Sequence, residues 1–216
     1  MAEIKAYELA KKQREISISE FFLKNRHLLG FDNPTRALMM VVKEAVDNAL
    51  DACTEMNVLP EIKIELQQLA EDRFKVVVED NGPGIVKQQI PNIFGKLLYG
   101  SKFHTLKQNR GQQGIGISAA VLYSQLTTGK ATKIYSRISP KKTAHYFELQ
   151  IDTKKNEPNV LIDKEVNWDK DHGTKIELEL EGRYLKGKQS VDEYVKETAI
   201  VNPHATFIYI TPEKEK

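Results

Sequence analysis

The clearest hydrophobic pattern in the chain runs from Asn33 to Met56. Leu38, Val41, Val42, Ala45, Val46, Ala49 and Cys53 recur there at three- and four-residue spacing, which places them on one face of a long helix. Asn33-Pro34 starts it, the amide capping free N–H groups and the proline occupying the first turn, where no donor is needed. Two alternating runs follow, Glu61–Leu66 and Phe74–Asp80, joined by a polar turn around Ala70-Glu71-Asp72, and they predict a hairpin. Upstream, Ile4–Gln13 reads as helical, and Ile16–Phe22, with two aromatics ahead of the Gly30 break, reads as an arm.

Downstream of the hairpin, Val86–Tyr99 is weakly helical. Gly100–Gly116 has a polar middle and predicts a mobile loop, and Gly116–Leu126 is again helical. Alternation at Thr132–Ile138, His145–Ile151, Thr174–Leu180 and Thr206–Ile210 predicts four more strands, with a helix over about Ser190–Ile200 between the last two. The expected class is α+β with one mostly antiparallel sheet. No internal repeat or low-complexity tract is present, and Pro212–Lys216 reads as a solvated linker or tail.

Composition narrows the function classes only slightly. The chain has 216 residues, 40% hydrophobic and 29% charged, which suffices for a real core and excludes collagen, coiled coil and wholesale disorder. With 32 Lys+Arg against 30 Asp+Glu, the balance by itself argues for no polyanionic partner. A single cysteine, Cys53, makes no intramolecular disulfide and lies on the apolar helix face, where a buried, inert thiol is expected. No apolar run approaches the roughly 18 residues of a membrane helix, and the N-terminus lacks the apolar stretch of a signal peptide, so a cytoplasmic location is expected. The five histidines have no metal-ligand spacing, no zinc site is expected, and no Gly-x-Ser-x-Gly elbow occurs. Trp168 reads as a partly buried loop anchor.

Four short segments carry candidate chemistry. Glu44, Asn48, Asp51 and Glu55 stack in one polar stripe beside the apolar face of the long helix; such a stripe is ordinarily just the wet side of an amphipathic helix. Glu44 one turn before Asn48 nevertheless sets a proton acceptor and a neutral oxygen ligand about 6 Å apart, suited to orienting water beside a phosphate-bound Mg²⁺. Asp80-Asn81-Gly82-Pro83-Gly84-Ile85 closes a strand. It is either a plain tight turn or a site where Asp80 accepts a hydrogen bond from a base amine while Gly82 and Gly84 admit a flat ring. Gly111-Gln112-Gln113-Gly114-Ile115-Gly116 opens a helix, whose unpaired N–H groups suit a phosphate, and Lys102 in the same loop is either an exposed lysine or a point charge for it. Gly182–Lys188 fits seven positions of a P-loop, but the eighth is Gln189, so the hydroxyl for Mg²⁺ is missing and a surface turn is expected.

Taken in order, Glu44…Asn48…Asp51, Asp80-x-Gly-x-Gly, Gly111-x-x-Gly-x-Gly and His172-Gly173-Thr174 resemble the four motifs of the GHKL ATPase family. The stretches Lys43–Ala52, Glu79–Ile85, Leu97–His104 and Arg110–Ser124 resemble, within it, the B subunits of archaeal type IIB topoisomerases, the topoisomerase VI group, over about Ile16 to the end of the chain. The resemblance implies a two-layer α/β sandwich of the Bergerat type, with a mixed, mostly antiparallel sheet covered by helices on one face. It implies an N-terminal arm or strap over 1–30, an ATP-binding domain over 31–212 with a lid at about 95–116, and a tail at 213–216. Helix-two-turns-helix and transducer domains would belong downstream.

By the same resemblance, ATP and Mg²⁺ are the cofactors, Glu44 is the general base and Asn48 the metal ligand. Asp80 reads the adenine amino group with support from Thr174, and Gly82 and Gly84 flank it. Ser101, Lys102, Gly111, Gln112, Gln113, Gly114, Ile115, Gly116, Ile117 and Ser118 hold the triphosphate. The implied partners are a topoisomerase A subunit, a second B subunit on ATP binding, and double-stranded DNA whose passage and supercoil relaxation the ATP-driven dimer gates. A nucleoid-associated location follows, and weak turnover is expected without the transducer's lysine. A histidine-kinase catalytic domain shares the motif order but needs a phosphoacceptor helix that is not visible; a nucleotide-sensing module that dimerises without turnover needs no base, and Glu44 argues against it.

Overall fold

Two side-chain-capped helices open the part of the chain that the computed structural model describes, residues 17–99 and 116–212. Ser17 caps α1 (Ile18–Asn25), accepting from the Glu20 N–H at 3.2 Å. Asn33 caps α2 (Pro34–Met56), accepting from the Arg36 N–H at 2.9 Å. Asn57, with φ 58°, ends α2 in the left-handed region, a conformation asparagine tolerates, and its N–H reaches the carbonyls of Cys53 and Thr54. All seven apolar positions expected on the inner face of α2 are buried, each Val or Leu contributing roughly 1.5–3 kcal/mol of hydrophobic stabilisation.

The predicted hairpin is β1 (Glu61–Ala70) and β2 (Arg73–Asp80), antiparallel with Ile64 opposite Val78. The weakly helical stretch after it yields a 3-10 turn at Lys87–Gln89 and a short α3 (Ile90–Gly95). Beyond the undescribed 100–115 come α4 (Gly116–Thr128), β3 (Thr132–Arg137), β4 (Ala144–Asp152), β5 (Glu157–Val166), β6 (Gly173–Glu181), α5 (Val191–Val201) and β7 (Thr206–Ile210). β5 is the strand that alternation does not reveal. It is a sheet edge paired only with β4, most of its residues are exposed, and it carries Pro158 near its start, so it neither needs nor shows an apolar face.

The seven strands lie in the order β5-β4-β3-β6-β2-β1-β7, antiparallel throughout except for β1 and β7, which run parallel. Helices cover one face, and Ile62, Val76, Ile134 and Leu178 point into the core between the layers. The other face carries charge: Lys175–Glu177 at 2.8 Å, Arg73–Glu179 at 3.2 Å and Lys170–Glu79 at 3.3 Å, with the Tyr135 ring between Tyr146 and the Lys175 ammonium. This is the alternation of an antiparallel sheet with one wet side. Phe22, expected in an arm, is fully buried against Phe31, which in turn meets Tyr123 of α4 at 5.1 Å, so Ser17–Phe31 packs on the common core. Residues 1–16 and 213–216 lie outside the described residues.

Candidate functional site

Asp80 ends β2 on the helix-covered side of the sheet and is 8% exposed. Its Oδ1 accepts from the Gly82 N–H at 2.8 Å and from the Thr174 N–H at 3.3 Å. Thr174 therefore supports Asp80 through its backbone, from the strand directly opposite in register. Both of these bonds go to the same oxygen, Oδ1. Burial pushes the carboxyl up to about 7, against the pull of those two N–H donors.

The turn after Asp80 is held by side chains to which motif reading gave no role: Asn81 and His172, which stand inside the motifs, and Ser136, which does not. Asn81 accepts from the Glu61 N–H at 2.8 Å and donates to the Leu59 carbonyl at 3.1 Å, and the Cys53 thiol donates to it at 3.3 Å. Ser136 on β3 accepts from the Ile85 N–H at 2.7 Å, and His172 Nδ1 lies 2.9 Å from the Gly82 carbonyl. A signal for Ser136 existed: it continues the inward alternation of Thr132 and Ile134 and is a buried polar group where an apolar one is expected. Gly84, at φ +67°, presses on the Arg137 carbonyl, and Gly173, at φ +137°, presses on the Asp80 carbonyl; a side chain at either position would collide with main chain. Cys53 is buried and its thiol is pushed up to about 12, chiefly by that burial, as expected of an inert group.

The helix α2 supplies the second wall. Glu44 and Asn48 are half-buried one turn apart, Asp51 is buried, and Glu55, at the end of the stripe, is exposed. Gly82 fills the space between the two walls, since a β-carbon there would lie 2.9 Å from Asp80 Oδ1 and 3.2 Å from the Ala52 methyl. Lys43 Nζ sits 2.6 Å from Asp47 Oδ2 and 4.0 Å from Glu44 Oε1, while Tyr194 of α5 donates to Asp47 Oδ1 at 3.0 Å. Burial pulls Lys43 down, but its hydrogen bond to Asp47 and the carboxylates of Asp47 and Glu44 leave it raised, a firmly held cation beside Glu44. Gly116, the first residue of α4, packs directly on the Glu44 carboxylate. Ile117 is half-buried and Ser118 buried in the same first turn. Ser101, Lys102, Gly111, Gln112, Gln113, Gly114 and Ile115 fall outside the described residues.

The P-loop-like Gly182–Lys188 takes no part: the Gly182 N–H donates to the Asp72 carbonyl, and the Tyr184 hydroxyl donates to Asp192. Among the described residues, no group of three or more His, Cys, Asp or Glu side chains is arranged around a cation, and no helix is long and apolar enough to cross a membrane.

The buried Asp80 carboxylate and its glycine turn thus stand on one wall, with Ala52 of α2 against Gly82, and the Glu44 carboxylate of α2 meets the start of α4. Residues 33–183 match the family model described as histidine kinase-, DNA gyrase B- and HSP90-like ATPase. The chain belongs to this ATPase family. The sandwich of helices on one face of a mixed, mostly antiparallel sheet is the Bergerat fold of these ATPases. The chain is 57% identical over 214 residues to the B subunit of type 2 DNA topoisomerase 6 from Methanococcoides burtonii, an alignment covering 99% of this chain and 34% of that protein. It is 59% identical over 209 residues to the protein of the same name from Methanosarcina mazei, covering 96% of this chain and 34% of that one. The chain thus spans about a third of the length of these relatives. Among solved structures, the ATPase region of Saccharomyces cerevisiae topoisomerase II bound to ICRF-187 (dexrazoxane) superimposes with a TM-score of 0.64 at 14% identity, covering 95% of this chain and 61% of that one, a likeness of fold.

Proposed function

We propose that this chain is the ATP-binding and ATP-hydrolysing domain of a type 2 DNA topoisomerase 6 B subunit. The observation that carries the reading is the 57% identity, over 99% of the chain, to a protein of that name. In the whole protein, ATP binding would join two B subunits into a gate, with the A subunit and double-stranded DNA as the other partners.

The residues present suit ATP and Mg²⁺. Oδ2 of Asp80 accepts from the adenine amino group, while Gly82 and Gly84 let the turn that carries Asp80 pack against α2 and the Arg137 carbonyl. Asn48 supplies a neutral oxygen to a Mg²⁺ that comes with the phosphates, in keeping with a cation that needs few protein ligands. Bound Mg²⁺ supplies charge neutralisation at the phosphates. Glu44 orients a water and takes its proton, with the Lys43 ammonium 4.0 Å from its Oε1. Ser101, Lys102, the Gly111–Ile115 stretch, Ile117 and Ser118 complete the phosphate cradle in this reading.

The test is calorimetric titration of a non-hydrolysable ATP analogue into this chain and its Asp80→Asn variant, with and without Mg²⁺. Mg²⁺-dependent binding that the variant loses is the expected result. Equal binding by parent and variant would sink the Asp80 assignment.

A further inference from the structure

Gly116 opens a helix in a glycine-rich segment, yet its surroundings give it a task other than letting phosphate approach. It is not among the glycines with positive φ, and it is the first residue of α4, so its backbone is one that alanine adopts readily. Alanine is in fact favoured over glycine in helices by about 1 kcal/mol. What forbids a side chain there is Glu44: a β-carbon on Gly116 would fall far inside van der Waals contact with Oε2 and Cδ, and 3.1 Å from Cγ.

Gly84 and Gly173 differ in kind. Their obstacles are main-chain carbonyls, which cannot yield without disturbing the fold. The obstacle at Gly116 is the far end of one side chain. An added methyl is therefore relieved by swinging the carboxylate away, at little cost to the fold. On its other side Glu44 Oε1 faces Lys43 at 4.0 Å, so the carboxylate is seated between a held cation and a bare α-carbon.

We propose that Gly116 is a positioning residue for the Glu44 carboxylate, and that its lack of a side chain fixes where the base stands. The inference rests on the reading of Glu44 as the base of an ATPase. Moving a reacting group by about 1 Å is enough to lower turnover about 100-fold.

The experiment compares this chain with Gly116→Ala, Glu44→Asp and the double variant. It measures ATP-analogue affinity by calorimetry, phosphate release from labelled ATP under single-turnover conditions, and the crystal structure of Gly116→Ala. Expected are an affinity within about three-fold of the parent, hydrolysis lowered about 100-fold, and a Glu44 carboxylate displaced by about 1 Å or more with α4 unmoved. In the Glu44→Asp background, where the carboxylate is one methylene shorter, adding Gly116→Ala should change turnover less than about three-fold. A parallel loss of affinity, or a shifted α4 with Glu44 in its original place, overturns the proposal and returns Gly116 to the phosphate cradle. Failure of the parent chain to bind the analogue refutes the ATPase reading instead, and the Glu44 displacement in the variant's structure is read independently of it.

Discussion

At the scale of single residues, two carboxylates divide the work by environment. Asp80 is buried and its folded pKa, about 7, lies above the ordinary 3.8. The sign follows: its contribution to stability is fully present below about pH 4 and is lost as pH rises through about 7. Asp80→Asn, which removes the buried charge, should therefore be more stable than the parent at pH 8, by an amount of the order of 2–4 kcal/mol, and the gain should shrink steadily toward pH 5. Melting curves across that range check it, and a gain independent of pH would assign the effect to something other than the carboxyl. On the proposed role of Asp80 as acceptor for the base amine, the same titration would limit binding. ATP-analogue affinity should fall as pH drops from 8 to 6. For Glu44, the Glu44→Ala change should leave Mg-ATP affinity within a few-fold while abolishing phosphate release in the intact protein; loss of both together would count against the proposed role as base.

Among the elements, the turn from Asp80 to Ile85 depends most on residues from elsewhere. Asn81→Ala strips partners from the Leu59 carbonyl and the Glu61 N–H, and should cost about 1–3 kcal/mol in denaturant unfolding. An unchanged unfolding midpoint would mean that water replaces the amide without loss. The elements themselves were largely legible. α2 declares itself through apolar spacing, a capping asparagine and a first-turn proline, and the hairpin through strict alternation. β5 was hidden because its apolar residues, Val160, Leu161 and Ile162, stand in one run on an exposed edge strand rather than alternating. In the site, Asp80 and Glu44 stand in recognisable spacing, whereas Asn81, Ser136 and His172 act across strand pairings that one-dimensional spacing does not record. Thr174 was legible as a residue, but its use of backbone rather than hydroxyl depends on register with Asp80.

For the whole molecule, β7 is the closing element. It lays Phe207 and Tyr209 against the core and shields the outer edge of β1, and the Tyr209 hydroxyl bonds Asp192 on α5 at 2.6 Å. A chain ending at residue 205 should lose this strand, leave β1 as a bare sheet edge, and show aggregation in size-exclusion chromatography together with dye binding to apolar surface. A monodisperse truncated chain with unchanged melting would show that β7 is an ornament on a self-sufficient sheet. Among the described strands, the pairing of β7 with β1 also joins the last in sequence to the first, across most of the length of the chain. That is contact of very high order, and chains dominated by such contacts fold slowly because loop closure comes before the reward. During synthesis the hairpin of β1 and β2 must therefore wait, one edge unpaired, until residue 210 has cleared the ribosome, so the domain's vulnerable interval is set by translation time rather than by its final stability.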